Sequence, residues 1–249
     1  MGPHLEPKNT VLYFEPRGNG QSSKPADPTT MSAKTMAEDI EHLRKHLGLD
    51  VLPVLMGGSH AGAIVLRYAE VYPARVGKLV LFAAQIMDGP VNNNMEEWAD
   101  KRRDDPGYND AVVMLERMLA GREKLETDEE FRAAMDVLLP WYFSDLSKVD
   151  ELRRHVADGP TLPGVYGFQT NFHDSKAENR LPHVAEAGRV EARTLVIYGE
   201  EDAMCFVGTG RAVADGIPGS RFVVVPGGHF AYIESGEVFF GEVQAFLES

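Results

Sequence analysis

The chain has 249 residues, with 38 Asp and Glu against 25 Lys and Arg and a formal net charge of −13. That length suits one large α/β domain or a core with an inserted subdomain. The acidity excludes a nucleic-acid reader, which needs a basic face, and the single cysteine, Cys205, allows no internal disulfide.

No apolar run reaches the length of a membrane span. Residues 1–8 lack the apolar core of a secretory signal. The expected compartment is cytoplasmic, the expected partner a small molecule or short peptide rather than nucleic acid or membrane, and the expected state a monomer or homodimer.

Residues 1–9 are rich in Pro and polar groups and read as irregular. Thr10-Val11-Leu12-Tyr13-Phe14 is β-branched and aromatic, the composition of a buried strand. A loop dense in turn formers follows, from Glu15 to Thr30. Ser32 then precedes Met36, Ala37, Ile40, Leu43 and Leu47 at three- and four-residue spacing, an amphipathic helix closed by Gly48. Next comes the apolar run Val51-Leu52-Pro53-Val54-Leu55-Met56, a strand that stops at Gly57-Gly58 and presents Ser59. Ala63 to Ala69 reads as the helix after that turn, ending at Tyr72-Pro73. Lys78-Leu79-Val80-Leu81-Phe82 is another buried strand. Strands alternating with helices at this spacing indicate a parallel sheet, helices on both faces and right-handed crossovers.

The pattern changes at residue 88. A loop over 88–94 leads into helical segments over 95–103, 109–119 and 128–139, the last opening with a capping box of Thr127 and Glu130. Pro140 ends it, and the aromatic cluster Trp141-Tyr142-Phe143 follows. A further helix is expected over 146–156, then a Pro- and Gly-spaced aromatic stretch over 159–172. No strand-like run occurs between Phe82 and Thr194. The expected division is therefore a core of residues 1–87 and 191–249, with residues 88–190 inserted as a helical cap. The sheet resumes over 193–199, passes through a helix around 210–215 and a last strand over 221–225, and closes with an amphipathic helix carrying Val238, Phe239, Val243, Phe246 and Leu247.

Three residues of catalytic type sit just past strand ends, where open α/β sheets build their sites. Ser59 occupies the Gly57-Gly58-Ser59-His60-Ala61 turn, Asp202 follows Ile197-Tyr198-Gly199, and His229 follows Val225-Pro226-Gly227-Gly228. A serine hydroxyl is a poor nucleophile until a base takes its proton and an acid orients that base. Taken singly, Asp202 suits a turn or helix cap and His229 a loop. Taken together, three matched residue types at three strand ends in the order Ser, Asp, His point to nucleophilic catalysis. No ligand spacing suits zinc, and the glycines beside Ser59 lack the lysine of a phosphate-binding loop, so no cofactor is expected.

The chain resembles α/β-hydrolases of the proline iminopeptidase-like group. Four segments carry the resemblance. Residues 15–22 are similar to the D-x-R-G-x-G-x-S loop, with Glu15 in place of Asp. Gly57-Gly58-Ser59-His60-Ala61 resembles the G-G-S-W-G elbow, with Ala61 for the last Gly. Asp202-Ala203-Met204-Cys205 resembles the D-x-x-C segment, and Gly227-Gly228-His229 the G-x-G-H segment. The resemblance implies Ser59 as nucleophile, His229 as general base then acid, Asp202 as its orienter, and the His60 backbone N–H as an oxyanion donor. Gly58, Trp141, Cys205 and Phe230 are the candidate substrate contacts, and Arg17 is expected to brace its own loop.

The family places two or three strands before the D-x-R-G loop, and a loop there supplies a second oxyanion N–H. Only residues 1–9 precede the first expected strand here. Either the chain is a shortened form, or its 10–14 strand pairs directly with the strand that leads to Ser59. The implied activity is hydrolysis of a small ester, lactone, amide or N-terminal aminoacyl substrate through an acyl-serine. Lyase or cyclase chemistry with the same residues, or ligand binding without turnover, are the alternatives.

Overall fold

Four parallel strands carry the fold in this computed structural model, which describes residues 1–27, 30–89, 94–157, 164–174 and 176–249. They are β1 (Leu52–Gly58), β2 (Val76–Phe82), β3 (Arg193–Gly199) and β4 (Arg221–Val225), in spatial order β1-β2-β3-β4. Leu55 stands opposite Leu79, Val80 opposite Leu195, and Ile197 opposite Val223.

Side chains alternate across a strand, and here the alternation sorts the core into two layers. Leu79, Leu81, Val196 and Tyr198 face one layer, built by α2 (Ala33–His46), α3 (Ser59–Val71) and α10 (Val207–Gly216). Val80, Leu195, Ile197 and Val225 face the other, built by α12 (Gly236–Glu248) through Phe239, Phe240, Val243 and Phe246. Every residue of β3 after Arg193 is buried, as expected of a central strand covered on both faces.

The run 10–14 does not form the expected strand. Leu12, Tyr13 and Phe14 are 53%, 62% and 38% exposed, and the ladder of β1 is to β2 alone among the described residues. Strand propensity reports fit to a paired, half-buried surface rather than a backbone preference, and this run finds no neighbour to pair with. The direct pairing with β1 is therefore absent. Residues 1–9 are also not wholly irregular. Gly2–Leu5 forms a single helical turn, α1, with Pro in its first turn; Leu5 is buried and the His4 ring stacks on Phe240 at 4.1 Å.

Between β2 and β3 the described residues hold helices and no strand: α4 (Asn94–Arg102), α5 (Asn109–Leu119), α6 (Asp128–Leu138), α7 (Val149–Ala157), α8 (Val165–Asp174) and α9 (His183–Glu186). The Thr127–Glu130 capping box is present at α6. Of the Pro- and Gly-spaced aromatic stretch over 159–172, residues 159–163 lie outside the described residues, and 165–172 belong to α8. Residues 90–93 of the expected loop also lie outside them. Asp88 accepts the Val184 and Ala185 N–H groups at 2.7 and 3.2 Å, which ties the end of the β2 loop to α9. No helix of the described residues is long and apolar enough to cross a membrane. Short α11 (Ala231–Glu234) leads into α12.

The α2–α3 contact contains a buried charge network. Glu41 bonds Arg44 at 2.8 Å on both carboxylate oxygens and accepts the Tyr68 hydroxyl at 2.9 Å. Arg44 first, then Tyr68 and Lys45, hold the Glu41 carboxyl down to about 2 from an ordinary 4.5. A depressed carboxyl stabilises the fold above its unfolded value and loses that contribution as pH falls toward its folded one. Glu41→Gln is therefore expected to lower thermal stability at pH 7 and to flatten the acid limb between about 4.5 and about 2, read by unfolding at stepped pH.

Candidate active site

Ser59 has φ = +50°, a left-handed backbone conformation that costs a non-glycine residue about 1–2 kcal/mol. Neighbouring chain over-determines it. The Ser59 N–H donates to Ala83 O at 3.0 Å, and the Gln85 N–H donates to Ser59 O at 2.9 Å. Ala83 is itself left-handed, φ = +43°, and its N–H donates to Ile197 O at 2.9 Å. The loop leaving β2 thus pins the turn leaving β1.

The glycines around the serine answer to space. A Cβ on Gly57 would lie 2.6 Å from Ala61 O, and one on Gly62 would lie 2.5 Å from Ala84 Cβ. A Cβ on Gly58 would enter the Phe82 ring. Ala61, where the elbow pattern has Gly, is exposed and faces an open cavity, so its methyl meets nothing that forbids it.

Asp202 and His229 come together from two strand ends. Both are buried, and His229 Nδ1 lies 3.0 and 3.1 Å from the two Asp202 oxygens. Asp202 Oδ1 also accepts the N–H groups of Met204 and Cys205, at 2.9 and 2.8 Å, which fixes the carboxylate before it meets the imidazole. Cys205 Sγ completes a cluster in which one donor atom from each of Asp202, Cys205 and His229 lies within 4.8 Å of the others. Burial pushes the Cys205 thiol well up, the Asp202 charge adds to the shift, and a hydrogen bond with the Ser59 side chain opposes it.

A cavity of about 530 Å³ opens on Gly58, Ser59, His60 and Ala61. Phe14, Glu15 and Asn19 line one side of it, and Phe131, Met135, Tyr142, Phe168 and Asn171 the other. Three of the four candidate substrate contacts lie outside the cavity lining. Trp141 is 0% exposed and packs among Ala99, Val112, Leu115 and Leu138, because the turn at 139–142 directs it into the helical cluster and its neighbour Tyr142 into the cavity. Phe230 packs against Tyr142 and Phe143, with ring centroids 5.4 Å away in each case, and is absent from the cavity lining. Cys205 is buried and is also absent from the cavity lining. Gly58 lines the cavity as expected. Arg17 ties its loop to another element: its guanidinium grips Asp39 of α2 through two nitrogens.

Several positioning groups were not read from the sequence. Glu234 accepts the Gly228 N–H at 2.6 Å on one oxygen. On the other it accepts Ser144 N–H, Ser144 Oγ–H and Asp145 N–H at 3.0, 2.7 and 2.7 Å. The His229 N–H donates to Tyr142 O at 2.8 Å. The histidine loop and the segment bearing Tyr142 are therefore one unit. Arg102 supports that segment from beneath, donating to the carbonyls of Trp141 and Phe143 at 2.7 and 3.2 Å, and burial pushes its guanidinium down. Nothing in the spacing of Glu234 or Arg102 distinguishes either from an ordinary surface charge.

A family model described as alpha/beta hydrolase fold matches residues 1–236. The proline iminopeptidase PfmaB of Pestalotiopsis fici is 25% identical over 246 residues, spanning 96% of this chain and 81% of that protein. A solved hydrolase from Pseudomonas aeruginosa PA01 superposes with a TM-score of 0.69 at 25% identity, over 99% of this chain and 83% of that one. A thermophilic esterase from Thermogutta terrifontis shares the fold with a TM-score of 0.60 at 23% identity, over 94% of this chain and 77% of that one.

Glu234→Gln turns an acceptor-only group into one that faces N–H donors with an NH₂. The expected outcome is a loss of about 1–3 kcal/mol in unfolding free energy, measured by denaturant titration; an unchanged midpoint would show that the four contacts do not stabilise the histidine loop.

Proposed function

The chain belongs to the α/β-hydrolase family, and from that premise we propose that it is a serine hydrolase working through an acyl-enzyme on a small ester, lactone, amide or N-terminal aminoacyl substrate. The observations that support this are the left-handed Ser59, raised at a strand-to-helix turn and facing a cavity, and the buried His229–Asp202 pair formed past two other strand ends.

In the proposed reaction Ser59 Oγ attacks the substrate carbonyl as His229 takes its proton. Asp202 holds the Nδ1 side of the ring and stabilises the imidazolium that forms. The carbonyl oxygen becomes an oxyanion and takes the His60 N–H, at the positive end of α3. The bond to the leaving group breaks as His229 returns the proton to it. Water, deprotonated by the same histidine, then attacks the acyl carbonyl, and the bond to Ser59 Oγ breaks as His229 returns that proton to it, releasing the acid. In this proposal residues 88–190 act as a cap, with Phe131 and Met135 of α6 and Phe168 of α8 forming the apolar roof that excludes water.

The cavity chemistry narrows the substrate. Its described lining contains the acid Glu15 and no Lys or Arg. A neutral or cationic acyl group fits such a wall; an anionic one meets no counter-charge and a like charge.

A fluorophosphonate probe is expected to label the wild type at Ser59, and Ser59→Ala and His229→Ala are expected to lower kcat at least ~10³-fold. Turnover that persists in Ser59→Ala but is lost in His229→Ala would replace this reading with acid–base chemistry that forms no acyl-serine. Among p-nitrophenyl esters, the neutral butyrate is expected to exceed the anionic hemisuccinate by at least about tenfold in kcat/KM, the discrimination of ~1.4 kcal/mol that one unpaired charge readily supplies. The reverse ranking would place a cation in the acyl pocket and overturn the substrate class.

A further inference from the structure

Asp174 is the last residue of α8, where the carbonyl end of a helix disfavours a carboxylate. It is also buried, 2% exposed. Its stabilisation comes from other elements. Oδ2 accepts the Ala33 N–H at 2.7 Å, at the start of the 14-residue α2, where the helix end favours an anion. The same oxygen lies 3.0 Å from His60 Nε2. His173 Nδ1 stands farther off, 3.6 Å from Oδ1. One carboxylate therefore joins α8, α2 and the residue that follows the nucleophile, three parts of the chain far apart in sequence.

We infer that Asp174 is a positioning residue for acyl transfer, acting through the His60 imidazole. This rests on the serine-hydrolase reading, in which the His60 backbone N–H receives the oxyanion. The imidazole, 18% exposed at the edge of the cavity, is held at its far nitrogen. The Gln85–Ser59 bond fixes one side of the Ser59–His60 peptide; an anchored side chain restricts its own backbone, so the hydrogen bond to Asp174 adds to that contact in holding the N–H toward the developing charge. Seating α8 against α2 and completing the donor geometry are then the same event. An N–H turned aside weakens the transition state and leaves ground-state binding nearly untouched, so the signature is a fall in kcat without a matching rise in KM.

The test compares the wild type with Asp174→Ala, His60→Phe, His60→Gln and the double variant Asp174→Ala/His60→Phe on p-nitrophenyl butyrate, with fluorophosphonate labelling rates alongside. Expected are falls in kcat of about tenfold or more for Asp174→Ala and His60→Phe, below the 10²–10³ of a donor lost outright. KM should stay within about twofold, the double variant should be no worse than the poorer single one, and His60→Gln, whose amide can still donate to Asp174, should recover most of the rate. His60→Phe leaves the Asp174–Ala33 contact in place, so it reads the effect even if Asp174→Ala fails to fold. Unchanged kcat in His60→Phe, a loss confined to KM, additive losses, or no recovery in His60→Gln would overturn the inference while leaving a labelled wild type a serine hydrolase. A wild type that neither labels nor turns over ester would overturn the underlying reading as well.

Discussion

The left-handed backbone at Ser59 is the constraint on which the rest of the site depends. It lifts a hydroxyl out of the sheet plane at the mouth of a cavity, and it is unfavourable for any residue but glycine. It persists because the carbonyl of Ala83 and the N–H of Gln85 hold both sides of the Ser59 peptide. Those two residues are in turn fixed by β3, through the Ala83–Ile197 bond and the Tyr198 hydroxyl on Ala84 O at 2.5 Å. The small residues of the turn follow from the same closeness. Gly57, Gly62 and Ala84 are small because strand, helix and loop meet there with no room for a side chain.

A second level of organisation joins the helices between β2 and β3 to the rest of the chain, and it relies on carboxylates. Glu234 binds the Gly228 turn to the Ser144–Asp145 segment, and Asp88 binds the β2 exit to α9. Asp174 binds α8 to α2 and to His60. Each accepts N–H groups that would otherwise be unpaired at a chain turn or helix start, where an ionised acceptor forms the stronger kind of hydrogen bond. The acidic balance of the chain is thus partly structural. An acid surplus that reads as solvated surface includes several groups that position the site.

The cavity and its walls connect this organisation to chemistry. Ser59 and His60 come from the start of α3, Glu15 and Asn19 from the first loop, and Phe131, Tyr142 and Phe168 from the stretch between β2 and β3. The wall is apolar above the serine and carries acid but no cation among the described residues. The charge character of that wall therefore follows from where three separate chain segments meet, and no single segment shows it.

Much of the fold was legible in the sequence. The alternation of Leu79, Val80 and Leu81, the three- and four-residue spacing from Met36 to Leu47, and the Thr127–Glu130 capping box are local patterns, and local geometry repeats them. The Gly-Gly-Ser turn and the Asp and His past later strand ends were legible because a sharp turn and a strand end each restrict which residues fit. What sequence could not decide depended on neighbours distant in the chain. The 10–14 run has strand composition but no adjacent ladder, Trp141 and Tyr142 divide between core and cavity by one step of a tight turn, and Asp174 acts through contacts with residues 33 and 60. Pairing, facing and the ownership of a hydrogen bond are properties of the assembled structure, and only the packed chain supplies the partners that settle them.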